Sequence, residues 1–88
     1  MTENGSAFEF PCDVPVKVFG RNEDAFQFTV FEIARKYFPE FDAERVRSRL
    51  SRGDRFLSIT LNLYVENQAQ IDALYTELSA HENVLMML

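Results

Sequence analysis

Five arginines fall within twelve residues, ERVRSRLSRGDR, from Glu44 to Arg55: Arg45, Arg47, Arg49, Arg52 and Arg55. A guanidinium group stays charged and presents a planar fork of donors that fits carboxylate and phosphate. Such a density of them suits an anionic ligand, an acidic protein surface or a nucleic-acid backbone. The body around them has the opposite sign. Five arginines against Glu44 and Asp54 leave +3 in this segment and −8 in the remainder of a chain whose net charge is −5. That acidic remainder disfavours nucleic acid as a general partner, because nonspecific affinity scales with the phosphates neutralised.

Groups suited to bond-making chemistry are sparse. There is one cysteine, Cys12, and one histidine, His81, far apart in the sequence. Structural zinc sites draw on four Cys or His ligands, and a thiol nucleophile needs a base beside it. Cys12, set in FPCDVP between prolines, reads as a small, half-buried hydrophobe instead. The carboxylates are scattered over helix ends and loops, with no pair placed for acid–base work, and no glycine-rich phosphate loop is present. The RGD of Arg52–Asp54 reads as a chance tripeptide in a hairpin. The expectation is a non-enzymatic protein with no cofactor and no metal.

The elements that would carry the arginines follow from periodicity. Val14, Val16 and Val18 alternate with Pro15, Lys17 and Phe19, which predicts a short strand closed by Gly20. Asn22 is placed to cap a helix with Glu23 and Asp24 in its first turn. Phe26, Val30, Ile33, Ala34 and Tyr37 share its apolar stripe, and Pro39 ends it. Arg45, Arg47 and Arg49 alternate with Val46, Ser48 and Leu50 in a second strand. Ser51–Asp54, with Gly53, forms a hairpin turn. Leu57, Ile59, Leu61, Leu63 and Val65 then alternate with Phe56, Ser58, Thr60, Asn62 and Tyr64, the cleanest strand in the chain. Asn67 and Gln70 have the spacing of a capping box ahead of a helix with Ile71, Leu74, Tyr75 and Leu78 on its stripe. Val84, Met86 and Leu88 mark a last strand.

The order β-α-β-β-α-β predicts an α+β, ferredoxin-like domain over residues 10–88, an antiparallel four-stranded sheet with two helices on one face. Residues 1–9 are expected to form a flexible arm. Alternation sends the Leu57 set, and with it Val46, Ser48 and Leu50, toward the helices and leaves an open face. Lys17, Phe19, Arg45, Arg47, Arg49, Thr60, Asn62 and Tyr64 are its expected binding residues, with Leu85 and Met87 from the last strand. Phe28 and Phe31 fall outside the apolar stripe of the first helix. They are a second expected contact, covered by Phe8 and Phe10 near the N-terminus or by a partner chain, or left partly exposed.

Three uses of the open face compete. RNA-recognition motifs share the topology and stack bases on open-face aromatics. Their third-strand pattern meets RGDRFLSI at Arg52, Gly53, Phe56 and Leu57, but Asp54, Arg55 and Ile59 break it. Alternating charge also serves to solvate an edge strand and stop it pairing. The third use is docking of a protein partner or an anionic small molecule, or pairing into a weak homodimer. No apolar run is long enough to span a membrane. The start, MTENGSAFEF, has no basic region leading into an apolar core, and a cytoplasmic location is expected.

Several stretches resemble the YbeD-like family of small bacterial proteins: EFPCDVPVKVFG, SRGDRFLSITL, ALYTEL and the ending VLMML. The matching residues are Phe10, Pro11, Lys17, Gly20, Gly53, Ser58, Ile59, Thr60, Leu74, Tyr75, Leu78, Val84, Met86 and Leu88. The hairpin departs from the family, with Arg55 where an aromatic often follows the turn. The resemblance implies a ferredoxin-like sheet and similarity to ACT-type regulatory domains, which bind small molecules at dimer interfaces. It implies a regulatory or binding module rather than a reaction, with genes that often neighbour lipoate-attachment genes.

Overall fold

The computed structural model describes residues 9–88. The elements run β1 (Cys12–Arg21), α1 (Asp24–Tyr37), a 3-10 turn (Ala43–Arg45), β2 (Arg47–Leu50), β3 (Phe56–Val65), α2 (Gln68–Ala80) and β4 (Val84–Met87). The four strands form one antiparallel sheet in the order β2-β3-β1-β4. This is the ferredoxin-like arrangement expected of the element order. The expected arm lies almost wholly outside the described residues, as does Phe8.

The core is a single layer between sheet and helices. Val14, Val16 and Val18 of β1 and Leu57, Ile59, Leu61, Leu63 and Val65 of β3 meet Phe26, Val30, Ile33 and Ala34 of α1 and Ile71, Leu74 and Leu78 of α2. No polar or charged side chain is buried among the described residues. Period-two and period-3.6 stripes therefore meet without a polar group to desolvate, the cheapest way to cover one face of a sheet. Gly20 is where β1 meets the start of α1. A Cβ there would lie 2.5 Å from Cε1 of Phe26 and 2.7 Å from the Asn83 carbonyl oxygen.

Local structure departs from the expectations at four points. β1 is ten residues long, running past Gly20 to Arg21. Asn22 does not cap α1. Glu23 stands at the N-cap without a side-chain bond, while Asn22 Nδ2 donates to the Asp54 carbonyl at 3.0 Å and ties the helix start to the β2–β3 hairpin. β2 begins at Arg47, because Asp42 accepts from the Glu44 amide and draws Ala43–Arg45 into a 3-10 turn. Ser48 and Leu50 were expected inside, yet every residue of β2 is exposed. The strand lies at the sheet edge, where the helices do not cover it.

The fourth departure is in β4. Phe19 pairs with Met86 and Val18 with Met87, but Gly20 pairs with Val84, so Leu85 is an extra residue in a bulge. A one-residue slip exchanges the faces. Met87 packs against the core, and Met86 takes the open face beside Phe19. The expected assignment of Met87 to the open face, and of Met86 and Leu88 to the core, is corrected accordingly. The α2 start follows expectation: Asn67 Oδ1 accepts from the Gln70 amide at 3.0 Å, and Gln70 Oε1 accepts from the Glu66 amide at 2.8 Å.

Candidate binding face on the open side of the sheet

The registers place the expected residues in cross-sheet rows. Arg47 lies opposite Thr60, Thr60 opposite Lys17, and Lys17 exchanges both backbone bonds with Leu88, at 3.1 and 2.8 Å. The next row is Arg49, Ser58, Phe19 and Met86. On either side, Asn62 faces Pro15, Tyr64 faces Asp13 and Phe56 faces Arg21. Neighbouring strands lie about 4.8 Å apart and successive same-face residues about 6.8 Å. Arg47 and Arg49 are thus one row apart, with Lys17 about 10 Å across from Arg47.

The face is uncovered and chemically mixed. Tyr64 is 57% exposed, Met86 52% and Leu88 68%. Among the described residues the one ion pair is Lys36 with Glu77, on the helices. Lys17, Arg21, Arg47 and Arg49 therefore have no carboxylate within ion-pair range there. Unneutralised cations standing beside exposed apolar side chains are the composition of a recognition surface, with charge to orient and apolar atoms to anchor.

Of the expected binding residues, Lys17, Phe19, Arg47, Arg49, Thr60, Asn62 and Tyr64 share this face. Arg45 lies in the 3-10 turn beyond the end of β2, where its carbonyl accepts from Asn62 Nδ2 at 3.5 Å. It lines a cleft of about 300 Å³ at the end of β3, with the open-face residues Asn62 and Tyr64 and with Phe38, Phe41, Asp42 and Gln70. Asp13, Glu40 and Glu66 add carboxylates to its rim. No group of three His, Cys, Asp or Glu side chains able to hold a metal ion occurs among the described residues. Cys12 is a free thiol. Phe56, matched above in the RNA-recognition pattern, stands on the face, and Arg21, Met86 and Leu88 join it beyond the expected residues. Register arithmetic from β3 reaches the first two, whereas the last two depend on the bulge.

The two helix-side aromatics part company. Phe31 packs against the core, its ring 5.7 Å from Phe41. The Arg35 guanidinium lies 5.9 and 5.8 Å from the Phe31 and Phe41 ring centroids. Phe31 is thus covered by its own chain through Phe41, a residue outside the expected arm. Phe28 is 64% exposed. Between the helices, Tyr37 Oη donates to Glu77 Oε1 at 2.5 Å and Lys36 Nζ donates to the same oxygen at 2.9 Å. The Tyr37 hydroxyl and then Lys36 hold the Glu77 carboxyl below its ordinary range. The same contacts raise Lys36 and Tyr37.

No helix among the described residues is long and apolar enough to cross a membrane. A family model described as "Protein of unknown function (DUF493)" matches residues 6–88. Over 88 residues the chain is 38% identical to UPF0250 protein NE1487 of Nitrosomonas europaea, covering 100% of each. It is 39% identical over 80 residues to a UPF0250 protein of Hahella chejuensis, covering 91% of this chain and 88% of that one. The solution structure of protein HP0495 from H. pylori superposes with a TM-score of 0.73 over 96% of this chain and 88% of that one, at 17% identity. At that identity the likeness concerns the fold alone.

Proposed function

The chain belongs to the DUF493/UPF0250 family, and from the geometry of its open sheet face we propose that it is a non-enzymatic interaction module that docks an acidic partner protein. The observation that carries this reading is the pair of rows across the sheet. Arg47 and Lys17 flank Thr60, and Arg49 stands in line with Phe19 and Met86. These cations meet no carboxylate of the described chain, on a face that no helix covers. An acidic partner neutralises them, and Phe19, Tyr64, Met86 and Leu88 supply the apolar contact that charge alone does not. The rest of the chain is acidic, so such a partner approaches the open face and is repelled elsewhere.

The reading is of a regulatory type of module, in keeping with the ACT-like resemblance, and lipoate attachment is the setting that the YbeD-like resemblance suggests. A cytoplasmic site of action suits a lone free thiol such as Cys12. The test is site-specific photo-crosslinking in cells, with the reactive group at Thr60 on the open face or at Phe28 on α1. A discrete protein adduct from Thr60, weakened by Lys17→Glu with Met86→Ser and absent from Phe28, is the expected result. Adducts from Phe28 alone, or a Thr60 adduct abolished by ribonuclease, overturn the reading.

A further inference from the structure

We infer that the outer edge of β2 accepts an extended, acidic segment of the partner protein as a fifth strand. This rests on the open face being a protein-docking surface and names how the partner is held. The phase of the β2–β3 ladder is set at the hairpin, where the Ser51 amide donates to the Phe56 carbonyl at 2.9 Å. Bonded pairs in an antiparallel ladder recur at every second residue. Arg49–Ser58 and Arg47–Thr60 are therefore the bonded pairs, and the amides and carbonyls of Ser48 and Leu50 point away from β3. Among the described residues β2 has no second neighbour in the sheet, and all four of its residues are exposed. These backbone groups form a short open ladder ready for another strand.

The side chains along the edge select the occupant. Residues opposite each other on paired strands share a face. Side chains beside Arg47 and Arg49 therefore lie on the open face, where acidic groups complement them. Side chains beside Ser48 and Leu50 lie on the helix side, where Leu50 is 46% exposed and favours an apolar neighbour. The segment that fits alternates acidic with apolar residues. Arg45 before β2 and Arg52 and Arg55 in the hairpin after it extend the positive charge beyond both ends of the strand. A second copy of β2 would instead set arginines against arginines, which is destabilising. A phosphodiester chain has no amide ladder to offer the edge. The crowding of arginines into Glu44–Arg55 thus both bars self-pairing and specifies an acidic strand.

The test is amide hydrogen exchange by NMR on the whole chain, with a short blocked peptide alternating glutamate and valine as the probe. At a peptide concentration about ten times its Kd, exchange at the Ser48 and Leu50 amides should slow about tenfold, with no such change when proline replaces the central valine. The double variant Arg47→Glu, Arg49→Glu should lose the glutamate peptide and protect the same two amides with a lysine–valine peptide. Shifts at Lys17, Thr60 and Met86 without slowed exchange at Ser48 and Leu50 would overturn strand addition while leaving the docking face standing. No response to millimolar peptide would overturn strand addition as well, with the docking face still judged by crosslinking. Protection that rises with protein concentration in the absence of peptide would assign the edge to a second copy and overturn the inference.

Discussion

Tyr37 and Glu77 join the two helices through a 2.5 Å hydrogen bond from the tyrosine hydroxyl to Oε1 of the carboxylate. Lys36 reaches the same oxygen, and the three groups form the one polar tie between α1 and α2 whose titration is displaced. The hydroxyl and the ammonium both stabilise the ionised carboxylate, so Glu77 titrates below its usual 4.5 in the folded chain.

This displacement predicts an acid limb in stability. A depressed carboxyl contributes stability above its unfolded value and loses it as pH falls through the folded one. Urea midpoints should therefore drop as pH is lowered below about 4.5, and Glu77→Gln should remove part of that slope while changing little at its foot. At the alkaline end the sign reverses. Lys36 and Tyr37 are both raised, chiefly by the bond to Glu77, and their contribution is lost as pH rises through their folded values. An acid limb identical in wild type and Glu77→Gln would refute the assignment.

The two faces of the sheet should answer differently to charge. Leu61 is fully buried, and Leu61→Asp places an unpaired carboxylate against the helices, which should cost about 4 kcal/mol or more. Arg47→Glu alters an exposed position and should stay within about 0.5 kcal/mol. Thermal melts of the two variants decide the matter, and a folded Leu61→Asp with an unchanged transition would invert the faces.

Gly20→Ala should destabilise by about 1–3 kcal/mol, as an overpacked site does. The added methyl meets the Phe26 ring and the Asn83 carbonyl, and Phe26 is fully buried. The requirement is for space rather than for a glycine backbone angle. Gly20→Ala combined with Phe26→Leu should recover part of the loss in a denaturation series, and failure to do so would place the constraint elsewhere.

Phe28 and Phe31 should separate in the same assay. Phe31→Ala uncovers Phe41 and Arg35 and should cost about 1–2 kcal/mol for the apolar area lost. Phe28→Ala, at a residue 64% exposed, should remain within about 0.5 kcal/mol. Equal losses would mean that both rings are covered.

What the sequence by itself determined is what local periodicity encodes. The alternation of β3 from Leu57 to Val65 needs no partner to assign its faces, since successive side chains of a strand must oppose each other. Through that strand it carries Arg47, Arg49, Lys17 and Phe19 to the open side. The capping pair Asn67 and Gln70 sits within one turn of chain and is equally local. What the tertiary structure alone decided involves groups distant in sequence. The bulge at Leu85 follows from how β4 meets β1 near Gly20, and it exchanges Met86 for Met87 on the open face. Asn22 leaves its helix for Asp54, 32 residues away. Arg45 is drawn into a turn by Asp42 and parts from the arginines it alternates with. Phe31 finds its cover in Phe41, across the loop that ends α1. The edge position of Arg47 and Arg49 is already implied by the β-α-β-β-α-β order. The other contacts join groups far apart in the chain, and no local periodicity encodes them, because they form only when distant elements pack together.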